Sequence, residues 1–302
     1  MTSSNIHNAL AFIGFGEAAT AFLSGWDKSQ LMTVCAFDIK SNHPDSAAAI
    51  QDRMTAHGVT GAATARQAVG GAQKVFSVVT ADQALVAAEA AAPGIAQGVL
   101  WFDCNSCSPG TKRAASDVIQ KAGGRYVDVA VMAPVYPKQH HVPLLISGPH
   151  AHAAEQALLA LDMKPQIVGD RIGQASSIKM LRSVMIKGME ALTAECFLAA
   201  RQAGVEDAVI GSLEASDPDI QWRKRGSYNL ERMMVHGARR AAEMEEVALT
   251  VQELGLGGRM SAAAAQWQAL VAAIAADPGK DDLYARADVI LSRLITDHPP
   301  GR

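Results

Sequence analysis

Gly14, Gly16 and Ala19 stand in the spacing Gly-x-Gly-x-x-Ala, directly after the apolar run Ala9–Ile13 and at the mouth of a helical stretch. That spacing suits a pyrophosphate. The first glycine permits a tight turn, the second lets backbone approach the phosphates, and a small third residue allows close helix–strand packing. The helix N-terminus adds free N–H groups and the positive end of its dipole. Asp38 closes the next apolar run, Leu31–Phe37, nineteen residues after Ala19. An acid there accepts ribose hydroxyls and repels a 2′-phosphate, so a dinucleotide is expected, NAD over NADP. Lys40, Ser41, Asn42 and His43 follow at once and keep NADP as the alternative. A glycine-rich turn with no ligand is the plain reading, and a methyltransferase shares the glycine turn and the later acid.

Other stretches carry groups able to move protons or hold a substrate. Lys179 follows a glycine turn and opens an otherwise apolar helical stretch. It is either a solvated lysine near a helix start or, with its pKa lowered by partial burial, a base for an alcohol proton. Ser183 lies one turn further on, and Lys187 two turns on, near the same face. Asn105 and Ser106 follow the run Val99–Asp103 and offer amide and hydroxyl contacts to ribose or substrate. An Asx-type turn capping the helix that begins near Pro109 is the other reading, and the two are compatible.

Arg232, His236 and Arg240 recur every four residues and line one face, with Arg239 beside them. Glu243, Glu245 and Glu246 make a salt-bridged helix the plain reading, and an anion anchor the functional one. Cys104-x-x-Cys107 has no second such pair and no nearby histidine pair, so no metal or redox role is expected of it. His140–His141 beside Pro143 reads as loop, Cys35 and Cys196 as core, and no metal is expected.

The elements that must position these groups change character near residue 170. Up to Val168, short apolar runs (Ala9–Ile13, Leu31–Phe37, Lys74–Thr80, Val99–Asp103, Tyr126–Val131 and Val142–Ser147) alternate with helical stretches such as Glu17–Asp27, Ala81–Ala92 and Pro109–Ala122. Alternation of that kind implies a largely parallel sheet with helices on both faces. Beyond Gly173 the pattern is helical throughout: Gln174–Ala203, Asp217–Leu254, Arg259–Ala276 and Asp281–Ile295. The chain therefore divides into an α/β domain, 1–170, and an all-helical one, 171–302. Across 302 residues the net charge is −3 and 49% of residues are hydrophobic, which excludes global disorder and argues against a basic nucleic-acid surface. No apolar run reaches the ~20 residues of a membrane span. Nor does the start carry the basic flank of an export signal, so a cytoplasmic location is expected.

With those elements placed, the chain resembles the β-hydroxyacid dehydrogenase superfamily, which includes 3-hydroxyisobutyrate and 6-phosphogluconate dehydrogenases. The opening Gly-x-Gly-x-x-Gly/Ala matches at Gly14–Ala19. The substrate-loop pattern D-x-[SN]-[ST]-x-x-P-x-T matches at Asp103, Asn105, Ser106, Pro109 and Thr111. The lysine pattern matches in part through Gly169, Gly173 and Lys179. Within the superfamily the chain is most similar to the phosphogluconate-dehydrogenase-like oxidoreductases, which show K-M-x-R-S-x-x-x-K-G-x-E-A-L, here Lys179–Leu192, and H-x-x-R-R-x-x-E-M, here His236–Met244.

The resemblance implies a Rossmann-type domain before a helical one. It implies hydride transfer between NAD(P) and a small hydroxylated, carboxylated substrate in the cleft between domains, with Lys179 as general acid/base and Ser183 near it. Gly14, Gly16, Ala19, Asp38, Thr80 and Asn105 would contact the cofactor. Ser106, Met132, Lys187, His236, Arg239 and Arg240 would contact substrate. A homo-oligomer, dimer or tetramer, is implied too. Two departures stand out. Where the family has S-G-G after its D-A-P-V strand, this chain reads VDVAVMAPVYP, with Met132–Ala133–Pro134, and Ser183 replaces the family's asparagine. An acidic substrate would then need His236, Arg239 or Arg240 as its anchor. Failing that, the Met132 loop becomes an apolar pocket for a neutral or aromatic alcohol. Imine reduction on the same scaffold, and a dinucleotide-binding sensor or scaffold without turnover, are the alternatives.

Overall fold

The computed structural model describes residues 9–27 and 33–297. Of these, the residues up to Met180 form one compact unit and those from Leu181 onward a second. In the first, the chain runs β1 (Ala9–Ile13), α1 (Glu17–Gly25), β2 (Thr33–Phe37), α2 (Pro44–Ala56), β3 (Thr60–Gly61), α3 (Ala65–Val69), β4 (Lys74–Ser77) and α4 (Ala84–Ala91). It continues with β5 (Leu100–Asp103), α5 (Pro109–Lys121), β6 (Arg125–Val131), β7 (Pro143–Ser147), α6 (Ala151–Leu159) and β8 (Lys164–Gly169). Leu31 and Met32 of the expected second strand lie outside the described residues. The expected α/β fold with a mostly parallel sheet is what forms. β3 and β8 add short, polar or half-exposed strands that alternate too weakly to be read as strands.

The sheet order is β3-β2-β1-β4-β5-β6-β7-β8. Every neighbouring pair is parallel except β6 with β7. Because helices cover both faces, the inner strands are apolar on both sides rather than alternating. On one face Phe12, Phe76 and Phe102 occupy matched positions of β1, β4 and β5. Their rings stack at 5.6 and 4.8 Å. On the other face Val75, Trp101 and Tyr126 are buried beneath α3, α4 and α5, with Ile119 of α5 in the same cluster. The chain reverses its lateral direction between β1 and β4, and the crevice beyond the carboxyl ends of such a pair is where open α/β sheets bind ligands.

α7 (Gln174–Gln202) leaves the sheet unit and runs on into the second unit, which adds α8 (Glu206–Ser216), α9 (Trp222–Glu253), α10 (Arg259–Ala273) and α11 (Leu283–Asp297). Its core gathers Phe197, Leu230, Met233, Val271 and Ile290. The alanine-rich α10 packs on α9, and Gly237 permits the closeness. A Cβ there would fall 2.6 Å from the Gln268 carbonyl oxygen and 2.9 Å from Ala272 Cβ. Among the described residues no helix is long and apolar enough to cross a membrane.

Candidate functional site

At the carboxyl end of β1, Gly14 has φ +89°, and a Cβ on it would lie 2.6 Å from the Val78 carbonyl oxygen. Its N–H donates to Phe37 O at 2.8 Å. The fold itself demands this glycine. Gly16 differs: it is the N-cap of α1, and a Cβ built on it meets nothing within 4 Å. Open space in front of a helix N-terminus is the cradle that a phosphate would fill, with N–H groups that the helix cannot satisfy itself. Ala19 is fully buried where α1 packs on the sheet. Asp38 braces the loop. Its Oδ2 accepts from Phe15 N–H at 2.7 Å and its Oδ1 from Lys40 N–H at 2.9 Å. Arg53 on α2 donates to Phe15 O at 3.0 Å, so the residue between the two glycines is held from both sides.

Beyond β5 the loop is fixed by a buried network. Asn105 Oδ1 accepts from Val79 N–H at 2.7 Å, and its Nδ2 donates to Ser77 Oγ at 2.9 Å and Asp103 Oδ1 at 2.8 Å. Asp103 is fully buried and also receives Tyr126 Oη at 2.6 Å. The cation that balances it is Lys112 of α5, itself 0% exposed. Its ammonium donates to Asp103 O at 2.6 Å and Asp103 Oδ1 at 2.9 Å, and lies 3.5 Å from Asp128 Oδ1. Burial alone would discharge this lysine, but Asp103, Cys107 and Asp128 outweigh it and hold the pKa above its ordinary value. The same burial pushes Tyr126 up, so its phenol stays a donor.

Asp128 in turn starts α7. Its Oδ2 accepts from Ser147 Oγ at 3.0 Å and from Gly173 N–H, Ser176 N–H and Ser176 Oγ, each at 3.1 Å. One turn later stands Lys179. Its Nζ donates to Ser106 Oγ at 2.6 Å, across 73 residues of sequence. Lys112 thus joins the two carboxylates that order the two ends of this contact.

In the helical unit, Ser183 is buried on α7. Lys187 Nζ is 2.6 Å from Glu243 Oε2, and burial lowers its pKa while Glu243 opposes the shift. Arg240 spends its fork on Glu190, Nε to Oε2 at 2.9 Å and Nη2 to Oε1, and Gln268 donates to the same carboxylate at 2.8 Å. Arg239, 58% exposed, has a long contact to Glu243 at 3.6 Å. His236 is half-buried, and burial with Arg232 and Arg239 lowers its pKa.

Residues 9–161, half of the chain, match the family model for the NAD binding domain of 6-phosphogluconate dehydrogenase. The chain belongs to this family. Residues 200–271 match a second model, the domain of unknown function DUF1932. A conserved hypothetical protein from Sinorhizobium meliloti 1021 is 36% identical, with a TM-score of 0.76 over 95% of this chain and 96% of its own. A Mycobacterium tuberculosis 3-hydroxyisobutyrate dehydrogenase solved with L-serine shares the fold at 17% identity, TM-score 0.69, covering 95% of this chain and 99% of its own. An uncharacterised 28.5 kDa protein of Methanothermus fervidus is 28% identical over 118 residues. That match spans 39% of this chain and 45% of the relative.

The sheet unit therefore brings Asp38, at the end of β2, against the loop of Gly14, Gly16 and Ala19, and Lys179 of α7 against the loop of Asn105 and Ser106. Thr80 lies just past β4, exposed, as the N-cap of a short 3-10 turn. Met132 is half-buried after β6, its N–H on Pro143 O at 2.9 Å. Lys187, His236, Arg239 and Arg240 lie on helices of the other unit. Cys104 and Cys107 are buried and form no disulfide, and burial pushes the Cys104 thiol up to about 12, which leaves Cys104 no reactive thiolate. Sequence reasoning overlooked Asp128 and Lys112. Asp128 had a signal: an acid amid the apolar run VDVAV is buried only with partners. Lys112 had none, standing among polar residues of a helix.

Proposed function

We propose that the chain is a NAD-dependent dehydrogenase that interconverts the hydroxyl and carbonyl forms of a small carboxylated substrate. The Lys179–Ser106 contact carries the reading, because it sets a lysine against a hydroxyl in a domain built for a dinucleotide. The bound nicotinamide would accept or supply the hydride. Gly14, Gly16 and the first turn of α1 would hold its pyrophosphate, and Asp38 its ribose. Lys179 takes the proton from the substrate hydroxyl in oxidation and returns it in reduction. Ser106, hydrogen-bonded to Lys179, orients that hydroxyl, and Ser183 offers a second hydroxyl one turn along the helix. Within the helical unit, Arg239, with a fork not closed by a bidentate partner, is the favoured contact for an anion. Arg240 is spent on Glu190.

The test is a thermal-shift comparison of NAD and NADP, followed by a nicotinamide-absorbance assay over hydroxy acids, polyols and aryl alcohols. Stronger stabilisation by NAD and turnover of a hydroxy acid are expected. Lys179→Ala should then lose roughly 10²–10⁴ in turnover with cofactor affinity nearly unchanged. Wild-type turnover in that variant removes the lysine from the mechanism. Stabilisation without turnover across the panel would make the chain a sensor.

A further inference from the structure

The turn that joins β6 to β7 carries a feature the proposed dehydrogenase does not use. Because β7 runs antiparallel to β6, the residues just before β7 and those just before its parallel neighbour β8 lie at one end of the sheet. That places His140 and His141, in a 3-10 turn, beside Asp162. Among the described residues these three form a group whose ligating atoms all lie within 4.8 Å of one another. Both Nε2 atoms point to one carboxylate oxygen: His140 Nε2 is 3.6 Å and His141 Nε2 2.7 Å from Asp162 Oδ2.

Those separations have a plain geometric meaning. Ligand atoms about 2.0–2.1 Å from a tetrahedral zinc stand roughly 3.3 Å apart. The 3.6 Å pair closes by about 0.3 Å, and the 2.7 Å pair opens by about 0.6 Å, when a metal replaces the hydrogen-bonding proton. His140 is the fixed member. Its side chain is 8% exposed, and it lies so close to α1 that a Cβ on Gly25 would fall 1.9 Å from Nδ1. That Nδ1 is buried without a partner, which leaves Nε2 as the ring atom able to bind. His141 and Asp162 face solvent and supply the entry path. Lys164 Nζ holds the other oxygen, Asp162 Oδ1, at 2.9 Å. A ligating carboxylate with its second oxygen so held is the usual outer-sphere arrangement.

We propose that His140, His141 and Asp162 form a site for a late first-row divalent metal, zinc being the natural occupant, completed by water. Imidazole nitrogen suits zinc, copper or nickel and discriminates against magnesium and calcium. The metal ties the β6–β7 turn to the α6–β8 turn, and its role is structural: it is independent of the proton transfer assigned to Lys179.

Titration of the tag-free, chelator-stripped full chain with zinc, followed by calorimetry, tests this. One zinc per chain is expected at a micromolar or tighter dissociation constant, with a rise in melting temperature and no response to magnesium. His141→Ala and Asp162→Asn, both exposed and expected to fold, should each weaken binding at least tenfold. His152→Ala, an exposed histidine on α6, should leave it unchanged. Absence of stoichiometric zinc binding overturns the proposal. So does binding that survives both variants, or binding of magnesium as tight as zinc.

Discussion

Both units bury charge, and they put it to different use. In the sheet unit, Lys112 and Asp103, each 0% exposed, sit with Asp128 beneath two loops, and from the two carboxylates hydrogen bonds lead outward to Asn105, Ser147, Ser176 and the start of α7. In the helical unit, Arg240 and Glu190 are also buried, but their network ends on Gln268 and staples α7, α9 and α10 together. A buried ion pair does not mark a functional site by its burial. What distinguishes the two is what hangs from them: one orders a lysine–hydroxyl contact, the other only helix packing.

Breaking each pair should expose that difference. Lys112→Met leaves two buried carboxylates with no cation, and is expected to cost about 3–5 kcal/mol in urea unfolding. In the protein that still folds, turnover should fall as well, because Asp103 and Asp128 no longer hold Ser106 and Lys179 in place. Arg240→Met strands one carboxylate that keeps Gln268 as donor, so about 2–3 kcal/mol is expected, with NAD affinity and turnover of the folded fraction unchanged. Equal losses of activity in the two variants would erase the contrast.

Smaller changes sharpen it. Gly16→Ala meets open space, so its melting temperature should stay within a degree or two of wild type while NAD affinity drops by about tenfold or more. Cys104 gives the mildest test. Its thiol stays protonated up to about pH 12 in the native state, whereas the unfolded thiol ionises near 9.0. Stability is therefore unaffected by this group below 9 and declines as pH rises from there, by at most about 1.4 kcal/mol per unit. At pH 8 native Cys104 should resist alkylation on the time scale that labels the denatured chain.

Much of the sheet unit was legible because its strands are apolar on both faces and glycine punctuates the turns. The loop Gly14–Ala19 and the switch to helices past Gly173 follow from local pattern, whereas the contact of Lys179 on α7 with Ser106, 73 positions away, does not. Asp38 was read as a ribose acceptor alone, since nothing local tells that its oxygens also take Phe15 and Lys40 N–H groups. Arg240 and Lys187 carry the same residue types as an anion site. Only the long-range arrival of Glu190 and Glu243, 50 and 56 positions away, assigns their charge elsewhere. α8 is short and weakly amphipathic, and went unread for that reason.

Gly25 has a consequence for inheritance. Its missing side chain is the room into which the His140 ring fits, so two positions 115 residues apart are not free to drift separately. Any descendant that acquires a larger residue at 25 must displace or give up the imidazole at 140. Reversion would need both steps again. The pair behaves as one heritable character written in two places, and the smallest residue in the code is the half that keeps the other in being.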